Sequence, residues 1–341
     1  MRISTNQFHN QGVTSIQKHQ ADILKTSLQL STEKRVNTPS DDPVAMTQIN
    51  ALKQTMSTIN QYAKNGEYAK SQLVLEETAI SDSISSIQRA RELAIKMSND
   101  TYNEANRKQT AAEVGQIIEQ MRNMMNYTNS EGEKLFAGSN VDEPEAFTVD
   151  VNNPDFYAYV GSQNSPNYDV QANYGSRFVQ IGFDDNNFLA PNDLGDSSRV
   201  RITDNGERVF GVPGGQTQFV DGTGTPLVDQ PDHNILNVMV QFQKHLESGD
   251  APPDEIILDM DASLENLSQV RAEIGGRQNR IESQYDGGEI FKLSLEERRM
   301  TLEDMDIVQG ITDLTKQQNA LQMAQQVFTR VQDMSLFNYL R

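Results

Sequence analysis

Apolar residues recur every seven positions at both ends of this chain, and the two runs are separated by a long segment without that repeat. One series runs Leu52, Ile59, Gly66, Leu73, Ile80, Ile87, Ala94, with Ile49, Met56, Ala63 and Ile84 beside it. Another reads Met260, Leu267, Ile274, Ile281, with Leu264 filling the stripe, and a last one Leu293, Met300, Ile307, Leu314, Leu321, Phe328. A repeat of this kind, sustained over several heptads, is the periodicity of helices that pack along one another. It commits both arms to long helices with narrow apolar seams.

Local punctuation places the breaks. Asp42-Pro43 is a strong start, because Asp suits the N-cap and Pro the first helical position. "SNDTYN" (98–103) ends that helix, and a third helix follows with Val114, Ile118, Met121 and Met125 on one face. It stops near "NYTNSEGEKLFAGSN". In the second arm "YDGGE" (285–289) reads as a break, after which one helix from Leu293 to Leu336 would be about 65 Å long.

Between the arms the composition changes. Residues 139–255 hold nine of the eleven prolines and most of the acidic excess behind the net charge of −19. Short runs such as "FYAYV", "RFVQIGF", "SRVRIT" and "ERVFGV" alternate with turn signals, the pattern of antiparallel strands. "ITDNGERV" (202–209) reads as a hairpin with Asn205-Gly206 at its turn.

The expected fold is therefore α+β: a long antiparallel helical coiled-coil rod formed by both termini, with an inserted antiparallel β domain. The expected division is a terminal helical assembly domain (1–44 and 301–341), a helical rod domain (45–138 and 256–300) and a β-rich surface domain (139–255).

The tip of such a rod poses a problem. The N-terminal stripe is Val13, Ile16, Ile23 and Leu30, and it would lie beside Leu314, Leu321, Phe328 and Val331. The chain then ends in "MSLFNYLR", with Leu336, Phe337 and Leu340 in a segment where soluble proteins are usually polar. Two apolar positions per heptad make a pair that is marginal alone. These residues are candidates for a subunit interface, ends that order on assembly.

Chemistry is harder to place. There is no cysteine, hence no disulfide and no thiolate site. The four histidines, His9, His19, His233 and His245, form no metal-binding spacing, and "GVPGGQTQ" (211–218) lacks the lysine and context of a phosphate loop. No catalytic, cofactor or metal site is expected, and no enzyme. The acidity argues against nucleic acid and against an anionic membrane surface. No run of apolar residues is long enough to span a bilayer, and the opening residues do not read as a cleaved signal peptide.

Several segments carry a resemblance. "LQLSTEKRVNTPSDDPVAMTQI" (28–49), "SSIQRARELAIKMSND" (85–100) and "GEKLFAGS" (132–139) resemble the N-terminal arm of flagellins and flagellar hook-associated proteins. "IGGRQNRIES" and "LEDMDIVQGITDLTKQQNALQMAQQVF" resemble their C-terminal arm. The likeness covers about 1–139 and 256–341 and includes the family's Arg-x-Arg-Glu-Leu-Ala motif, here Arg89, Arg91, Glu92 and Leu93. "TPSDDP" and the ending "SLFNYL" point toward members at the hook–filament junction; a minor flagellin, or an appendage protein whose β domain acts as an adhesin, are the alternatives.

The resemblance implies a structural, extracellular flagellar subunit that leaves the cell through the flagellar type III pathway. It implies a hook-side junction protein (the first hook-associated protein), flagellin, further copies of itself in a ring and a cytosolic export chaperone as partners. It implies no cofactor.

Overall fold

The computed structural model describes residues 2–99, 101–138, 145–159, 176–183, 198–221 and 224–337. Helices dominate both arms: α1 (Arg2–Thr32), α2 (Pro43–Met97) and α3 (Glu104–Met125), then α6 (Asp254–Glu303) and α7 (Ile307–Phe337). Between them lie β1 (Phe147–Val149), β2 (Tyr157–Tyr159), β3 (Phe178–Gln180), β4 (Arg199–Arg201), α4 (Gly206–Phe210) and α5 (Ile235–Ser248). The chain divides into two compact units, residues 1–59 with 289–341 and residues 60–288.

In the unit of residues 60–288, α2 and α6 run antiparallel. Their register is marked by Arg91 on Asp261, Arg271 on Glu77 at 3.4 Å and Lys70 on Glu282 at 3.7 Å. The heptad positions Leu73, Ile80, Ile87 and Ala94 of α2 and Met260, Leu267, Ile274 and Ile281 of α6 are all buried. So are Val114, Ile118, Met121 and Met125 of α3, the face expected from their spacing. Asn103 caps α3, its side chain accepting from the Asn106 amide at 2.9 Å.

The β segment is smaller and more helical than its turns suggested. Among the described residues β1 pairs antiparallel with β2, with Phe147 opposite Tyr159, and β3 with β4, with Val179 opposite Val200. "ITDNGERV" is not a hairpin. Asn205 instead caps α4, accepting from the Glu207 amide at 2.9 Å, and "ERVF" is helical. Gly206 serves close approach: a Cβ there would lie 2.8 Å from the Phe136 carbonyl and from the Phe147 ring. Helix α5 was legible in retrospect from Asn234 as N-cap and from Gly249, which closes the helix at φ 88°. Its apolar face packs on α3.

The insert shares its core with the helices. Phe136, Phe147, Phe156, Tyr159, Phe210 and Phe219 belong to the same hydrophobic cluster as Leu73, Ile80, Met121, Phe242 and Leu267. Phe136 meets Phe210 edge-on at 4.8 Å between ring centres.

In the second arm two readings are corrected. "YDGGE" breaks nothing: α6 continues through Tyr285–Glu289 to Glu303. Interior glycines cost about 1 kcal/mol each relative to alanine, which packing along a helix of this length outweighs. The helix from Leu293 to Leu336 is not continuous but breaks at Asp304–Asp306. There Asp306 caps α7, its Oδ1 accepting from the amides of Val308 and Gln309. The seven-residue seam lapses around this break. Leu293, Met300 and Ile307 are exposed, and Leu295 and Leu302 are turned inward in their place.

Candidate assembly interface

Residues 1–59 and 289–341 contain little core of their own. There is a small cluster of Val36, Ala45 and Ile49, with Met46 and Leu302 against it, and Ile59 and Leu295 are buried as well. What holds the unit together is a clasp of two chain reversals and a helix pair.

The clasp joins the turn after α1 to the turn after α6. Glu33 takes a left-handed φ of 57°, uncommon for a residue with a Cβ, and its carbonyl accepts from the Met305 amide at 2.9 Å. The Arg35 amide donates to the Glu303 carbonyl at 2.8 Å, and the Arg35 guanidinium donates to the Leu302 carbonyl at 2.9 Å. The Glu303 carboxylate is buried and receives Lys34 at 2.7 Å, Lys53 at 3.0 Å and Arg299 at 3.4 Å. Burial pushes this carboxyl up, but hydrogen bonds from Lys34 and Lys53 outweigh it, and its pKa lies below the ordinary value.

The "TPSDDP" turn is built the same way. Asp41 accepts from Lys25 at 2.9 Å and from the Thr38 amide at 2.9 Å, which hold its pKa well below the carboxylate range. Asp42 Oδ1 accepts from the Ala45 amide at 3.0 Å, capping α2 where the sequence placed its start.

Beyond the clasp, α1 and α7 lie along one another. Val13, Ile16, Ile23 and Leu30, with Leu314, Leu321 and Phe328, are each half-buried in this pair. Gly12 makes room for Phe328: a Cβ there would stand 2.7 Å from its ring. The His9 ring lies 5.1 Å from that of Phe328. Leu340 lies outside the described residues, and of Val331, Leu336 and Phe337 only the helical backbone is described.

The pair also carries a second apolar set that the seven-residue reading missed. Leu24 and Leu28 on α1 and Val308, Ile311, Met323 and Val327 on α7 are exposed, Leu24 at 72% and Val308 at 75%. On helices of 3.6 residues per turn these positions fall off the seam occupied by Ile23 and Leu321. The signal was the spacing of four in Leu24–Leu28 and Met323–Val327, hidden beneath the stronger seam.

The Arg-x-Arg-Glu-Leu-Ala motif lies in the other unit and faces three ways. Arg89 reaches Glu113 of α3 at 2.6 Å and Glu92 at 3.3 Å. Arg91 forks onto Asp261 of α6, one contact at 3.0 Å. Leu93 is buried in the core, and the Glu92 side chain is largely exposed. The motif thus clamps α2 to α3 and to α6.

Helix α6 holds the insert with a polar stripe one residue out of step with its apolar one. Asp259 accepts from the amides of Gln216 and Thr217, both at 2.8 Å. Asn266 donates to the carbonyls of Arg208 and Val209 at 2.9 and 3.0 Å. Glu273 receives Arg208 at 2.6 Å, and Arg280 donates to the Arg199 carbonyl. Positions 259, 266, 273 and 280 repeat every seven residues, so one helix offers adjacent apolar and polar faces.

Comparison with known proteins agrees with this architecture. Residues 3–141 match the bacterial flagellin N-terminal helical region and residues 257–340 the bacterial flagellin C-terminal helical region. Flagellar hook-associated protein 3 of Escherichia coli strain K12 is 29% identical over 99% of both chains. Its counterpart in Salmonella typhimurium strain LT2 is 28% identical over 100% of both. A crystal structure of flagellar hook-associated protein 3 from Legionella pneumophila superposes with a TM-score of 0.54 at 16% identity, covering 74% of this chain and 98% of that one. This last likeness concerns the fold alone.

Proposed function

This chain belongs to the flagellin and flagellar hook-associated protein family, and from that premise we propose that it is a structural subunit of the bacterial flagellum, joining the hook side of the junction to the filament. The observation that carries the reading in the molecule itself is the exposed apolar set on α1 and α7. Fully burying a Leu, Met or Val side chain is worth about 1.5–3 kcal/mol, and such a set on a thin helix pair is satisfied by neighbouring subunits. Head-to-tail contacts of one surface with another generate open helical assemblies, as a tubular appendage requires.

In this reading the half-buried seam residues, Val13 to Leu30 and Leu314 to Phe328, form the helix pair, and Leu24, Leu28, Met323 and Val327 meet the next subunit. Val331, Leu336, Phe337 and Leu340 extend the same surface. The partners are a hook-side junction protein, flagellin and further copies of this chain, with a cytosolic chaperone covering the C-terminal region before export through the flagellar type III channel without a cleaved signal peptide. The three-part division at 44/45 and 300/301, with the 139–255 insert, describes assembly modules: tip, stem and surface.

The test is a doubly substituted chain, Met323→Glu with Val327→Glu, expressed in cells lacking the native copy. The account expects normal secretion, an unchanged monomer and filaments shed into the medium. Full-length filaments on swimming cells would refute the interface.

A further inference from the structure

Four ionisable side chains meet inside the unit of residues 60–288, and their arrangement is uneven. Asp204, fully buried, takes Arg201 at 2.7 Å and Arg277 through a short hydrogen bond. Arg277 also donates to the Arg201 carbonyl at 3.2 Å. Glu76 of α2 is equally buried, yet it lies 4.0 Å from Arg277, and neither of its carboxylate oxygens has a hydrogen-bond donor among the described residues. Both guanidiniums make their shortest contacts with Asp204, and Glu76 faces that carboxylate with an ion pair only at 4.0 Å and no hydrogen-bond donor among the described residues.

The groups facing Glu76 can be named element by element. Helix α6 contributes Arg277, β4 contributes Arg201, and the loop after β4 contributes Asp204. Glu273 of α6 stands beyond Arg201, at 3.5 Å from it, and is occupied by Arg208 of α4. A buried carboxylate without donors is strongly disfavoured, whereas a neutral carboxyl beside Asp204 donates its proton to that carboxylate.

We propose that Glu76 carries a proton in the folded protein and that this carboxyl–carboxylate pair is an acid-tightened latch holding the segment 198–211 onto α2 and α6. The segment is also docked by its buried Val200, Ile202, Val209 and Phe210 and by polar contacts from Asn266, Glu273 and Arg280, and ionising Glu76 places a second negative charge within that attachment. Burial, with Asp204 second, drives the Glu76 pKa well above the ordinary glutamate value of 4.5. The folded state thus holds a proton that the unfolded chain has released. The latch contributes fully below the unfolded value and is lost as pH rises through the folded one.

The experiment is hydrogen exchange of the full chain, corrected for intrinsic rates, across neutral to alkaline pH. Peptides covering 198–211 in the native protein lose protection as pH rises, by up to about tenfold per pH unit between the unfolded and folded Glu76 values, and level off above the folded one. Peptides from the buried centre of α3 stay constant. In Glu76→Gln, which keeps a donor toward Asp204 and cannot ionise, the 198–211 peptides become independent of pH. A flat native profile, or a slope that survives in the variant, overturns the proposal. A second measurement applies if the variant fails to fold: isotope-edited infrared spectroscopy of the native protein shows a protonated glutamate at neutral pH that ionises in base. Absence of that band also overturns the proposal.

Discussion

The two compact units are built from the same kind of helix but balance their books differently. Residues 60–288 bury the heptads of α2 and α6, one face of α3, the aromatic residues of the insert and the apolar face of α5 in one cluster. Residues 1–59 with 289–341 bury a handful of side chains and expose Leu24, Leu28, Ile290, Leu293, Val308, Ile311, Met323 and Val327. One unit is complete within the chain. The other is a helix pair held by a polar clasp, with its apolar faces turned outward. A repeat of seven therefore does not say where its partner is: in α2 it finds one in the same molecule, while at Leu293 and Met300 it finds none.

This contrast is open to attack by substitution. The largest effect belongs to the core. Phe210→Ala removes a fully buried ring packed edge-on against Phe136 and Phe147 and costs about 3–5 kcal/mol in a denaturant melt. A loss below 1 kcal/mol would mean that the insert is not part of the core.

Next is the clasp. Glu303→Gln leaves Lys34, Lys53 and Arg299 without their shared carboxylate and lowers the stability of the terminal unit by about 1–2 kcal/mol, discounted because both lysines are half-exposed. The clasp also has a pH signature. The carboxyls of Glu303 and Asp41 are held below their ordinary values, so their contribution is present above about pH 4.5 and is lost as pH falls through the folded values. Acid thus loosens the clasp, the opposite sign to the Glu76 latch. Circular dichroism of the native chain and of Glu303→Gln through acid pH checks this, the variant showing the shallower loss.

Smaller still is Arg91→Ala. Its fork onto Asp261 is partly exposed, so the change costs about 0.5–1 kcal/mol despite its place in the family motif. The smallest effect on the monomer is Leu24→Ser with Leu28→Ser, within about 0.5 kcal/mol of the native melt, because both side chains already face water. The same pair abolishes incorporation into the flagellum.

Much of this was legible beforehand for a physical reason: heptads, caps and prolines are local signals. The start of α2 at Asp42-Pro43, the break at "SNDTYN" and the buried face of α3 all follow from spacing and capping. Asn205-Gly206 was misread because the same dipeptide serves a hairpin turn and a helix cap, and the choice rests on Phe136 and Phe147, distant in sequence. "YDGGE" was misread because glycine lowers helix propensity without overriding the packing of a long helix. The break at Asp306 was available in "LEDMD", since Asp suits an N-cap, but the seven-residue series from Leu293 to Phe328 runs across it without a gap. The polar stripe of α6 was not separable in advance, since its partners are backbone groups of the insert. The seam at α1 and α7 was legible, but the exposed set beside it was not, because a stripe narrow enough to be noticed draws attention from the residues around it.

The central claim is that one unit is finished within the chain and the other awaits its neighbours. Hydrogen exchange of the dilute monomer tests it most directly, read at residues 310–330 of α7 and 105–125 of α3. The account predicts that the α3 amides exchange only through global unfolding, while those of α7 exchange through local opening, faster by several orders of magnitude. Equal protection in α7 and α3 would contradict it, since the terminal helix pair would then be stable without any other subunit.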